Sequence, residues 1–104
     1  MAHEKRQFDR RELEDISAKL FRANTTDEID FCPINVSQEG FSIYTSRQLA
    51  VGEKLFLALE AKDVPLSVKW CRSMENDLAV FRCGLQTQDP LDHLDELIKE
   101  ELSY

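Results

Sequence analysis

GFSIYTS, residues 40–46, sets Phe41 and Ile43 on one face of an extended chain and Ser42 and Tyr44 on the other. Strict alternation of this kind has the two-residue period of a strand with one buried face. The pattern repeats downstream. EKLFLALE (53–60) groups Leu55, Leu57 and Leu59 opposite Lys54, Phe56 and Ala58, after a VGE turn at Val51 to Glu53. VPLSVKWCR (64–72) aligns Val64, Leu66, Val68 and Trp70, and LAVFRCGLQ (78–86) aligns Ala79, Phe81, Cys83 and Leu85, with SMEND (73–77) as the hairpin loop between them. On this pattern Trp70 belongs to the core row. Its ring is also large enough to stack on a base.

Working outward, the strand pattern begins near Glu28 and includes a segment 28–35 before the Asn35–Gly40 turn. Earlier, Ile16, Ala18 and Leu20 alternate, which predicts a strand over 16–23. Leu13, Ile16 and Leu20 fit helical spacing as well. Pro65 has no N–H for a ladder and is expected at a strand start or on an edge, and Pro33 is expected to bend the strand feeding the turn. At the other end the period changes. Leu91, Leu94, Leu97, Ile98 and Leu102 form one apolar stripe, with Asp89 as the expected cap and Pro90 as the first helical residue. A few strands with one apolar face are most economically closed into a barrel, so the expected fold is mainly β, an antiparallel barrel with a C-terminal amphipathic α-helix.

Composition bounds the function. A chain of 104 residues with 42% hydrophobic and 32% charged residues fits one globular domain. No apolar run reaches membrane-helix length and the start is charged, so a cytoplasmic protein without membrane insertion is expected. Cys32, Cys71 and Cys83 lack CxxC spacing and read as buried or half-buried free thiols, not a metal site. Neither His3 nor His93 has a Cys or Ser partner in sequence context, and there is no Gly-rich phosphate loop, so the chain is read as a non-enzyme without cofactor or metal. The net charge of -7 argues against a nucleic-acid polymer as partner.

Charge is uneven, however. Residues 1–11 carry Lys5, Arg6, Arg10 and Arg11 against Glu4 and Asp9, while the other 93 residues carry nine basic and eighteen acidic groups. Arg6 and Arg10 stand four apart, and guanidinium forks suit both phosphate oxygens and the O6/N7 edge of guanine. A solvated basic terminus accounts for the same residues. The second feature is Asn35-Val36-Ser37-Gln38-Glu39-Gly40, whose Asn and Ser can bond a base and whose Gly permits positive φ or close backbone approach. A plain β-turn accounts for it equally.

Together, the RxxxR arm, the [DN]xSxxG turn about 25 residues later, the VGE turn and the strands ending in VKWCR and FRCGLQ resemble the PilZ domain family, over about residues 5 to 86. The resemblance implies a six-stranded antiparallel PilZ-type barrel with a C-terminal helix: residues 1–12 as a flexible basic arm, 13–88 as the barrel, 89–104 as the helix, one domain in all. It also implies a bacterial receptor for cyclic di-GMP. Arg6 and Arg10 would grip phosphate and guanine, with Lys5 and Arg11 assisting, and Asn35, Ser37 and Gly40 would hold the other guanine edge. Lys5, immediately before the first arginine, is compatible with a stacked pair of ligands. The output would pass to a separate partner protein in motility, biofilm or polysaccharide regulation. The competing reading is a PilZ-fold adaptor that binds a protein whatever the nucleotide level.

Overall fold

The computed structural model describes residues 18–102. Among them seven strands, β1 (Lys19–Arg22), β2 (Glu28–Ile29), β3 (Cys32–Val36), β4 (Gly40–Thr45), β5 (Lys54–Ala58), β6 (Asp63–Met74) and β7 (Asp77–Thr87), precede one short helix, α1 (Leu94–Leu102). The strands form a single antiparallel sheet in the order β2-β1-β5-β6-β7-β4-β3, curled into a half-barrel. The expected mainly β architecture with a C-terminal helix is therefore present. The strand count differs from six because the segment expected as one strand over 28–35 is broken at Asp30 and Phe31. Its first half pairs with β1 at one edge of the sheet and its second half with β4 at the other.

That break brings the two edges together at one corner without a continuous ladder. Side chains supply the ties. Ser46, just after β4, donates through Oγ to Asp30 Oδ1 at 2.6 Å. Arg47 bonds both Asp27 oxygens, Nη1 to Oδ1 at 3.0 Å and Nη2 to Oδ2 at 2.9 Å, and donates to the Glu28 carbonyl. The Arg47 hydrogen bond holds the Asp27 carboxyl below its ordinary 3.8; desolvation opposes this, and the charges of Arg47 and Arg22 add to the pull. A depressed carboxyl contributes stability that is present above its unfolded pKa and lost as pH falls through the folded value. Arg47→Ala should therefore lower the melting temperature at neutral pH. The gap to wild type should narrow as pH drops below 3.8, as melts at stepped pH would reveal, whereas a constant gap would remove Asp27 from the explanation.

Apart from Trp70 and Ala79, the inward rows follow the alternation. Phe41 and Ile43, Leu55, Leu57 and Leu59, Val64, Leu66 and Val68, and Cys83 and Leu85 are all buried, joined by Leu20, Ile29, Val36 and Leu49. Gly52, in the VGE turn, takes φ 88°, a left-handed conformation that explains why glycine stands there. Pro65 is a correction: it is the third residue of β6, a central strand flanked by β5 and β7. Its carbonyl accepts from Gln88 N–H, beyond the end of β7. Because N and C=O of one strand residue point the same way, the missing N–H faces Gln88 as well, so the one bond forfeited is the reciprocal of this pair, beyond the last ladder partner Thr87.

Two further expectations are corrected. Ala79 is exposed, since three residues of β7 (78–80) have no partner between the pairs Met74↔Asp77 and Ser73↔Phe81 and so leave the alternation. The helix starts at Leu94, not at Pro90. Asp89 caps a preceding turn instead, its Oδ1 accepting Leu91 N–H at 2.9 Å and its carbonyl accepting Asp92 N–H at 3.0 Å. Leu91 is consequently 82% exposed, while Leu94 and Ile98 are fully buried and Leu97 packs against the core. The half-exposed His93 precedes the helix, its carbonyl accepting the Glu96 and Leu97 N–H groups. Lys62, in the β5–β6 hairpin, bonds the buried Asp92 and so pins the start of the helix; that bond raises the Lys62 ammonium pKa.

Candidate functional site

The Asn35–Gly40 turn joins β3 to β4 and is closed by its own atoms. Ser37 N–H donates to the Gly40 carbonyl at 2.8 Å, and Gly40 N–H donates to Ser37 Oγ at 3.1 Å. Gly40 does not use positive φ; a Cβ there would meet Ser37 Oγ at 3.2 Å, so the glycine serves close approach. The turn is also anchored from outside. Leu94 N–H donates to the Gln38 carbonyl and Thr87 N–H to the Glu39 carbonyl, both at 2.9 Å, which ties it to the helix and to the end of β7.

Just before the turn, the ladder slips between Pro33 and Asn35, leaving Ile34 as the extra residue. The expected effect of Pro33 is thus observed as a bulge. Beyond it Val36 is buried opposite Phe41, and Asn35 is exposed opposite Ser42 on the outer face. Among the described residues the Asn35 side chain has no hydrogen-bond partner, which leaves its amide to water or a ligand.

Register then defines the surface. Asn35 pairs with Ser42, Ser42 with Gly84, and Gly84 with Trp70, a row running across four strands. Trp70 is not in the core row, contrary to the alternation. A slip between Val68 and Trp70 makes Lys69 the extra residue, so the parity of β6 reverses and Trp70 turns outward. Its ring lies over Gly84, where a Cβ would fall 2.2 Å from the indole Nε1; any side chain at 84 displaces the ring. Because the ring leans over β7, it stands about two strand spacings, roughly 10 Å, from Asn35.

The adjacent row is Cys32, Tyr44, Arg82 and Arg72. Arg72 and Arg82 face one another across β6 and β7, and their guanidinium carbons lie 5.4 and 6.0 Å from the Trp70 ring centroid. Like charges placed directly opposite repel, and the π face of the indole offsets part of that cost. Both arginines are exposed, and neither has an acidic partner among the described residues. On a chain of net charge -7, two guanidiniums without an acidic partner among the described residues form a local positive patch suited to an anion. Neither arginine was singled out by its spacing in sequence. The signal was the count of residues around the β6–β7 hairpin, hidden by its two slips.

Asn35, Ser37 and Gly40 are thus brought together at one end of this face. Arg6, Arg10, Lys5 and Arg11 lie outside the described residues. A cleft of about 940 Å³ lies elsewhere, lined by Asn24, Thr25, Lys54, Phe56, Pro65 and Gln88 among others, and contains none of Asn35, Ser37 and Gly40. No group of three or more His, Cys, Asp or Glu residues able to hold a metal occurs among the described residues, and no helix there is long and apolar enough to cross a membrane. Compared with known proteins, the chain matches no family model, no curated sequence and no solved structure.

Proposed function

We propose that the chain is a PilZ-type domain that binds cyclic di-GMP on the outer face of β3, β4, β7 and β6 and acts as a cytoplasmic, non-catalytic signal receptor. On this reading β2 and β3 count as one bent strand, giving the six strands of that barrel. The observation that carries the proposal is the row Asn35, Ser42, Gly84, Trp70 flanked by Arg72 and Arg82. An amide that can read a base edge, an indole that can stack on a second base and two guanidiniums that can neutralise phosphate share one exposed surface. Arg6 and Arg10 supply further phosphate and guanine contacts from the arm, with Lys5 and Arg11 beside them, and the Ser37–Gly40 turn holds the opposite guanine edge.

Ligand then orders the arm, whose clustered positive charge disfavours a compact state until anions neutralise it, and the new surface recruits a separate protein. The adaptor reading, in which a protein binds whatever the nucleotide level, gains no support from an amide, an indole and two guanidiniums aligned on one face.

Calorimetry tests the binding step. Wild type should bind cyclic di-GMP with micromolar or better affinity and should discriminate against GTP and cyclic di-AMP. Asn35→Ala should lose roughly 1 kcal/mol, about five-fold, with an unchanged melting temperature because its amide has no partner to lose among the described residues. No heat with any of the three nucleotides would leave the adaptor reading standing in its place.

A further inference from the structure

Cys71 and Cys83 are direct cross-strand partners on β6 and β7. The slip at Lys69 that turns Trp70 outward also turns Cys71 inward, onto the same side as the fully buried Cys83. Their sulfurs meet: Cys83 S–H donates to Cys71 Sγ at 2.9 Å, and Leu49 N–H reaches the same Cys71 sulfur at 3.5 Å. Both thiols are free, Cys71 half-buried and Cys83 without exposed surface.

We propose that this pair is a dithiol modification site, converted by hydrogen peroxide to an intrachain disulfide between β6 and β7. Cross-strand partners have Cα atoms roughly 4.5 to 5.5 Å apart, inside the roughly 4.4 to 6.8 Å range that a disulfide spans. Closing the bond needs a sulfur movement of about 1 Å, to the S–S length of roughly 2.05 Å, and no rearrangement of the ladder. The two sulfurs have separate parts because their access differs. Cys71, the half-buried one, attacks the peroxide; an S–O bond forms as the O–O bond breaks, giving a sulfenic acid and hydroxide, which takes up the released proton as water. Burial first, and then its bond to Cys71, pushes the Cys83 thiol up to about 12, so it stays protonated and enters second. Its sulfur displaces hydroxide from the sulfenic sulfur, and its proton leaves with that hydroxide as a second water. In sum, two thiols and one peroxide give one disulfide and two waters.

The position gives the bond a consequence. Trp70 and Arg72 adjoin Cys71, and Arg82 and Gly84 adjoin Cys83, so the bridge fixes the spacing of the two strands that carry the outer face. The site rests on its own geometry and stands or falls apart from nucleotide binding.

Cys32→Ser protein, which isolates the pair, is treated with stoichiometric hydrogen peroxide and analysed by intact mass and by non-reducing peptide mapping. A loss of about 2 Da that dithiothreitol reverses, with a peptide linking residues 71 and 83, is the expected result. Cys83→Ala, which keeps the position apolar, should instead stop at an oxygenated Cys71. Oxygen addition at Cys71 with Cys83 still free in the parent, bridging only between molecules, or no reaction at either thiol would each overturn the proposal.

Discussion

Phe41→Ala should cost the fold about 3–5 kcal/mol, the range for emptying a fully packed aromatic site. Phe41 is 1% exposed on β4, the strand between β3 and β7, and its ring meets Phe31 edge-on with centroids 5.8 Å apart. Phe31 lies in the two-residue break between β2 and β3, so the pair joins the central wall to the corner where the sheet edges meet. Truncation leaves a cavity at that junction as well as losing the transfer energy. Against a total stability of roughly 5–15 kcal/mol, the loss should lower the melting temperature by on the order of 20 °C. Leu91→Ala is the contrast, since Leu91 is 82% exposed and should stay within about 0.5 kcal/mol of wild type. Chemical denaturation of the two variants side by side checks both values; a Phe41 variant as stable as the Leu91 variant would contradict the packing described.

The second large effect is expected at the arm. If Arg6 and Arg10 each contribute a charge-assisted hydrogen-bonded contact to cyclic di-GMP, Arg6→Ala and Arg10→Ala should each lose about 2 kcal/mol of binding, near thirty-fold. Melting temperature should not move in the absence of ligand, because the core of the described residues is built from buried apolar side chains. Affinity should also fall as salt rises, since the contact is between guanidinium and phosphate. Wild-type affinity in both variants, measured by calorimetry, would remove the arm from the site.

Much of this scaffold is legible from alternation alone. Phe41, Ile43, Leu55, Leu57, Val64, Leu66 and Val68 lie inward because a strand buried on one face must bury every second residue. What alternation cannot reveal is where a strand slips. One extra residue at Lys69 reverses the parity of β6, sending Trp70 out and Cys71 in. Three unpaired residues at 78–80 shift β7 so that Arg82 faces Arg72. The outer face is thus a product of irregularities that depend on both strands at once, and no single-strand pattern contains them.

The turn motif was readable for a different reason. Its atoms interact locally, Ser37 with Gly40, so spacing in sequence equals spacing in space. The helix start is not legible locally because Asp89-Pro90 suits the first residues of a helix and the first residues of a turn alike. The backbone tie from Leu94 N–H to the Gln38 carbonyl is a long-range contact that a local reading of 89–94 does not contain.

Trp70 is the chain's single tryptophan, so its emission reports on the outer face without labelling. Titration with cyclic di-GMP should produce a saturable change in that emission, shifted about five-fold to higher ligand concentration in Asn35→Ala and absent with cyclic di-AMP. Emission that stays flat while calorimetry records binding would put the nucleotide on another surface, and the face built by β3, β4, β7 and β6 would no longer be the receptor site.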